Sequence, residues 1–348
     1  MKSFQECENS AFLAYRSPWI MAGWVCRPMK RSSFTKSSPK QMLVSDQKSA
    51  PTTALDQWGY FTTAQMTRKK SIFLRIASGE WLAAFALTEP DAGSDAANIS
   101  TSAVLDGEFW IINGTKQFIT NADCAHVFTT IAVTDDTKRA RGGFTAFIIE
   151  RDMPGFSLGP ADVKMGMKGS RTHELVFKHC RVPRENVIGG MPLVGQGFKT
   201  AMRVLDKGRL TMGACALGAA KKMLTMSIDY VHHLIADGKP AADLQAHQFS
   251  LADMATCIYA AEQMLYHTAR LRDEGKQVVH EASMVKVFCT EMASRIADMA
   301  MDIFGTEGGF TRYRIEQFLR DIRLYRIFEG TSEIQRMIIS RNLLKKGR

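Results

Sequence analysis

The hydrophobic period of this 348-residue chain changes once, near Pro192, and that change limits what it can fold into. Before it, apolar residues come in short runs: Trp81–Leu87, Phe109–Ile112, Val127–Val133, Phe144–Ile149 and Glu174–Phe177. Runs of this length bounded by Gly, Asp, Asn and Pro read as strands, with Asp106-Gly107 and Asn113-Gly114 read as hairpin turns. After it the spacing is helical. Leu251, Met254, Ala255, Ile258, Ala261 and Leu265 form one stripe, and Met284, Val287, Phe288, Met292, Ile296, Met299 and Ile303 another. A long helix is predicted over Phe198–Val231, with Gly208, Gly213 and Gly218 placed where helices pack closely. A shorter one is predicted over Ala64–Ala77, stopped by Ser78-Gly79. The fold class expected is a multi-domain α+β chain. A small antiparallel β-barrel or sandwich spans residues 80–190, and an antiparallel four-helix bundle spans residues 191–348.

Charge and cysteine usage remove several function classes. The net charge is +10, but residues 1–75 hold twelve Lys/Arg against four acids, so nearly all of the excess belongs to this first segment. The main body therefore carries no broad basic face for nucleic acid, and the basic segment lacks aromatic stacking periodicity. Ser, Lys, Pro and Thr dominate its middle, and residues 1–60 read as an atypical, weakly ordered leader. No apolar run is long enough for a membrane span. Seven scattered cysteines without a CxxC pair point to reduced thiols and to no metal site. That fits a cytoplasmic protein, or one of the mitochondrial matrix in a eukaryote.

Four stretches concentrate chemistry-bearing residues. Asp91-Ala92-Gly93-Ser94-Asp95, after Leu87-Thr88-Glu89-Pro90, is a small-residue loop whose amides and hydroxyls suit an anion or the edge of a heterocycle. Asn113–Thr120, Leu205-Asp206-Lys207-Gly208-Arg209 and Phe328–Arg336 are the others. In the last, Glu329 precedes a turn glycine, and Thr331 or Ser332 is placed to cap the helix through Ile334, Met337 and Ile338. A lone Glu in such a turn is more often a surface residue than a working one.

Taken together and in this order, the four stretches resemble the acyl-CoA dehydrogenase family, from about Ile76 to the end of the chain. The resemblance implies an FAD enzyme that converts an acyl-CoA thioester to its 2-enoyl-CoA, on short or medium chains, or catalyses the reverse reduction. Glu329 matches the carboxylate that removes the α-proton while the β-hydrogen leaves as hydride to flavin N5. A desolvated pocket would raise its pKa toward neutrality. Some relatives carry the base at the position of Gly208, which has no side chain to serve. The family match assigns flavin contacts to Phe85, Leu87, Thr88, Ser94, Phe118, Thr120, Gln245, Thr331 and Glu333. It assigns substrate contacts to Ser94, Asp206, Arg209 and Gly330. Phe85 and Leu87 read equally well as strand core, Glu333 as a first-turn helix acid, and Asp206–Arg209 as an ordinary helix ion pair.

The same resemblance implies an electron-transfer flavoprotein or similar acceptor, and a homo-oligomer, dimer or tetramer. It also makes residues 61–79 the remnant of a longer N-terminal helical domain. Two segments depart from the family pattern: Leu234–Gly238 carries Leu234 and Asp237 where relatives have Arg and Phe, and Asp302 replaces a Gln. Both add acid, or remove a phosphate donor, where the adenine diphosphate of FAD is held. These departures motivate an alternative, a catalytically impaired relative acting as a partner subunit.

Overall fold

The computed structural model describes residues 67–236 and 238–345. They divide into two units, residues 67–164 with 168–205, and residues 165–167 with 206–345. The expectations for residues 1–60, for positions 61–66 of the helical remnant and for Asp237 lie outside the described residues.

The first unit begins with helix α1 (Thr67–Ser78) and continues through β1 (Ala83–Ala86), β2 (Ser102–Asp106), β3 (Phe109–Thr120), β4 (Val127–Val133), β5 (Phe144–Glu150), β6 (Phe156–Ala161) and β7 (Thr172–Pro183). These make one seven-stranded sheet, ordered β1-β4-β2-β3-β7-β6, with β5 on the other side of β4. The antiparallel expectation is corrected here: β4 runs parallel to both β1 and β2, while the remaining pairings are antiparallel. Every residue of β4 is buried. Its alternate residues Phe128 and Ala132 join Trp110, Phe147, Leu175 and Phe177 in one core, where the sheet curls on itself. Val127, Ile131 and Val133 join Ile72, Ile76 and Ile99 in a second, with Phe198 and Met202 packed against it. A strand covered on both faces needs a continuous apolar run, which Val127–Val133 has.

Two turn assignments separate. Asp106 pairs with Phe109 across a tight hairpin, as the sequence predicts. Asn113-Gly114 is not a turn; β3 runs through it with a break in register after Ile112. Gly114 has φ +146°, and a Cβ there would lie 2.5 Å from Thr101 Oγ1, so the glycine serves close backbone approach.

The second unit is helical: α2 (Gly197–His233, whose first turns belong to the first unit), a two-strand ladder β8 (Ile235–Ala236) and β9 (Lys239–Pro240), α3 (Gln245–Asp273), α4 (Val279–Phe304), α5 (Ile315–Arg323) and α6 (Ser332–Leu343). Its core joins Leu210, Met212 and Leu217 of α2 with Met254, Ile258 and Leu265 of α3 and Val285, Met292 and Ile296 of α4. Met254, Ile258, Leu265, Met292 and Ile296 are core as expected from spacing, but Val285 lies off the expected stripe, Met284 and Val287 are only half-buried and Ala255 is exposed. Close packing holds at Gly213, where a Cβ would sit 2.7 Å from Val285 Cγ1, but not at Gly218, which meets nothing within 4 Å. Among the described residues no helix is long and apolar enough to cross a membrane, and the described cysteines are free.

Candidate active site

Glu329 follows the short 3-10 turn Leu324–Arg326 and adopts a left-handed backbone, φ 59°, with Gly330 at φ 81°. For a glutamate this conformation costs about 1 kcal/mol or more and persists only where the surroundings impose it. Two buried side chains do so. Gln335 Nε2 donates to the carbonyls of Glu329 at 3.2 Å and Gly330 at 3.1 Å. Lys286 Nζ, from α4, donates to the Gly330 carbonyl at 2.8 Å. Downstream, Thr331 rather than Ser332 is the N-cap of α6, its hydroxyl accepting from Ile334 N at 3.2 Å.

The Glu329 side chain is half-buried, and its Oε2 is out of solvent without a hydrogen-bond partner. Burial pushes its carboxyl up to about 7, against the opposing pull of the Lys286 and Arg209 charges. Arg209 itself is buried on α2. Its Nη1 donates to Asp206 Oδ1 at 2.7 Å and Ser283 Oγ at 3.4 Å, while Nε has no partner. Burial lowers the guanidinium pKa and raises that of Asp206, their mutual attraction opposing both. The helix ion pair read from the sequence is therefore present. Burial likewise pulls the Lys286 ammonium down to about 8, with Glu329, Glu291 and Glu333 pulling back.

Asp206, Arg209, Glu329 and Gly330 thus share one cluster. Thr331 adjoins it as the cap, Glu333 is exposed in the first turn of α6, and Gln245 is exposed at the start of α3. Lys286, Ser283 and Gln335 are polar neighbours of this cluster that sequence reasoning missed. A signal existed for Lys286: helical spacing puts it on the face of Ala282, Cys289 and Met292, where a lysine needs a partner.

The remaining positions lie on the sheet unit. Phe85 packs half-buried against the Ile72–Ile99 core, and Leu87 is buried within it. Ser94 is exposed on the small-residue loop, which Glu89 and Ala92 close by reciprocal 3.2 Å backbone hydrogen bonds. A buried ion pair fixes that loop to β3: Lys116 Nζ reaches Glu89 Oε1 at 2.7 Å and the Leu87 carbonyl at 3.1 Å. Glu89 also accepts from Ser100 N, Ser100 Oγ and Thr101 N. Beside it, Gln117 N donates to the Thr88 carbonyl at 2.8 Å. The next residue, Phe118, has φ +60° and is 56% exposed. Thr120 follows, half-buried and paired with Thr172. An exposed aromatic face with threonines from both strands suits a flat heterocycle carrying hydrogen-bonding edges.

Residues 84–180 match the family model for the middle domain of acyl-CoA dehydrogenase, and residues 195–344 that for its C-terminal domain. The chain belongs to the acyl-CoA dehydrogenase family. As such it is an oxidoreductase of CH–CH bonds. It is 41% identical over 281 residues to an acryloyl-CoA reductase (NADH) of Anaerotignum propionicum, covering 80% of this chain and 70% of the relative. It is 39% identical over 281 residues to the mitochondrial short-chain specific acyl-CoA dehydrogenase of Homo sapiens, covering 81% and 67%. A solved acyl-CoA dehydrogenase of Bacillus anthracis, complexed with FAD, superposes with a TM-score of 0.78 at 34% identity, over 85% of this chain and 53% of that one. Residues 1–83 of this family member lie outside both family models.

Proposed function

We propose that this chain binds FAD and oxidises a short acyl-CoA to its 2-enoyl-CoA, with Glu329 as the base. The observation that carries the reading is the Glu329 carboxyl, raised to about 7 by burial and left with a partnerless oxygen. A base works best when its pKa lies near the working pH, and one whose lone pairs are not already engaged is free to take a proton. Phe118, Thr88 and Thr120 offer the aromatic face and hydroxyls that a flavin ring needs, with Phe85, Leu87 and Ser94 on the same unit, and Thr331 and Glu333 are the flavin contacts proposed for the helical unit by the family match. FAD, when bound, supplies the acceptor for the β-hydrogen as hydride.

The chain's own residues then divide the work. Glu329 holds the proton taken from Cα, and its backbone N–H, beside Gly330, binds the thioester carbonyl oxygen where negative charge develops. The charges of Lys286 and then Arg209 keep part of the Glu329 population ionised at neutral pH, and Asp206 holds the Arg209 guanidinium. In the reductive direction the protonated Glu329 returns the same proton to Cα. Electrons pass to an electron-transfer flavoprotein or similar acceptor, and the working unit is a homo-oligomer. Nothing in the site favours the impaired partner-subunit alternative.

The test is a flavin spectrum of the purified, FAD-supplemented protein, followed by anaerobic titration with a panel of short and medium acyl-CoAs. Bleaching of the flavin band by the short ones is expected, and Glu329→Gln retains the flavin without bleaching. No flavin band, or no bleaching at any chain length, overturns the reading. Bleaching by Glu329→Gln at the wild-type rate removes Glu329 as the base.

A further inference from the structure

Lys286 is the largest charged side chain of the helical unit that is entirely closed to solvent. A buried ammonium is costly unless it is paired and hydrogen-bonded, so its placement calls for a reason. Its hydrogen-bond partner is a main-chain carbonyl, that of Gly330, at 2.8 Å. The same carbonyl, together with that of Glu329, accepts from Gln335 Nε2, itself fully buried. Two side chains from two helices, α4 and α6, therefore converge on a single peptide plane. That plane joins Gly330 to Thr331, one residue beyond the left-handed Glu329, and Gln335 also grips the plane between them through the Glu329 carbonyl.

The orientation of a peptide plane fixes the torsions on either side of it. Holding the Glu329 carbonyl restrains ψ of Glu329 and φ of Gly330, and holding the Gly330 carbonyl restrains ψ of Gly330 and φ of Thr331, so the two together limit where Cβ of Glu329 points. Without these donors the strained backbone would relax toward the right-handed region and swing the carboxylate away. Gly330 also has no room for a side chain: a Cβ would lie 2.6 Å from Gln335 Nε2. Turn, glycine and donors are thus mutually dependent.

We infer that Lys286 is a positioning residue for the proton-transfer step, aiming the Glu329 carboxylate by holding the Gly330 carbonyl. It does not touch substrate; it acts through the turn. The inference rests on the reading of Glu329 as the base. Its ammonium has a second effect, since its charge favours the ionised carboxylate of Glu329. The other charged groups around the turn are Arg209 and Asp206 from α2, Glu291 from α4, Arg326 from the turn before Glu329, and Glu333 and Arg336 from α6.

The experiment compares wild type, Lys286→Met, Lys286→Arg and Glu329→Gln in the FAD-loaded protein. It follows anaerobic flavin reduction by acyl-CoA in stopped flow across pH, with the acyl-CoA Kd measured separately. Misplacing a reacting group by about 1 Å costs on the order of 100-fold in rate. Lys286→Met is expected to slow flavin reduction by about that factor while the Kd changes less than about threefold. Its acidic limb moves to higher pH, because the carboxylate has lost a neighbouring positive charge. Lys286→Arg, which keeps charge and donors, recovers most of the rate. If Lys286→Met does not fold, Lys286→Gln, too short to reach the Gly330 carbonyl, reads the same quantities. A rate and a limb both unchanged in the Met or Gln variant overturn the inference, as does a loss confined to Kd. Glu329→Gln separates the two readings. Wild-type reduction by that variant sinks the base assignment, whereas an inert Glu329→Gln beside an unaffected Lys286→Met sinks only the positioning role.

Discussion

Lys116 and Glu89 form an ion pair at 2.7 Å with both side chains closed to solvent, joining the loop after β1 to the middle of β3. Burial alone would raise the Glu89 carboxyl. The Lys116 charge and hydrogen bonds from Lys116, Thr101 and Ser100 outweigh it and bring it down to about 2. Burial meanwhile pulls Lys116 down to about 8 against the attraction of Glu89. At neutral pH both partners are charged.

Removing one partner leaves the other buried and unpaired. Lys116→Met should destabilise the protein by about 3–5 kcal/mol, read from urea unfolding followed by tryptophan fluorescence. The acid side has a definite sign. The folded Glu89 pKa lies below its ordinary value of 4.5, so its contribution is full above that value and is lost as pH falls toward about 2. Glu89→Gln should flatten the acid unfolding curve in that window.

Glu329 has the opposite linkage. Its folded pKa, about 7, lies above the ordinary 4.5, so the folded chain binds the extra proton between those values. Stability contributed by the neutral carboxyl is present at low pH and declines as pH rises through about 7. Glu329→Gln should therefore unfold at a higher temperature than wild type at pH 8, with the gap closing at pH 5. A gap independent of pH would contradict the raised pKa.

The same pKa shapes the rate. Flavin reduction by acyl-CoA needs the ionised carboxylate, so its rate should climb as pH rises through about 7 and level off above. Stopped-flow absorbance at the flavin band checks this, and a rate that falls across that interval would assign the proton to another group.

Gly213 and Gly218 lie on one helix and answer differently. A methyl at Gly213 meets Val285 Cγ1 at 2.7 Å and Leu265 Cδ1 at 3.6 Å, so Gly213→Ala should lower stability by about 1–3 kcal/mol. Gly218 meets nothing within 4 Å, and Gly218→Ala should raise stability by about 0.5–1 kcal/mol through helix propensity. Thermal midpoints by circular dichroism separate the two.

The helical half was readable because periodicity reports a buried face directly: Met254, Ile258, Leu265, Met292 and Ile296 are core as spaced. Strand direction was not. β1 and β4 pair in parallel across some forty residues, and nothing local in Trp81–Leu87 encodes the partner's sense. β6 was missed because Gly159 and Pro160 interrupt its apolar pattern. Asn113-Gly114 carries the strongest hairpin signal in the sequence, and tertiary contact with Thr101 overrides it. At the site, Glu329, Arg209 and Asp206 were found through motif order. The left-handed backbone of Glu329 was not, because local rules reserve that region for glycine. Glu89 and Lys116 stood inside quoted motifs without a role, since a contact 27 residues apart is invisible to spacing.

The way the Glu329 turn is held separates two properties that usually travel together. A hydrogen bond that orients a carboxylate also makes it a weaker base. Here the donors of Gln335 and Lys286 grip the main chain, so direction is imposed through the backbone while Oε2 keeps its lone pairs. Aim can then be altered by itself from the neutral Gln335 on α6 and basicity by itself from Arg209, whereas Lys286 on α4 acts on both. For anyone wishing to retune this chain for a less acidic substrate carbon, Gln335 and Arg209 are the two separate handles.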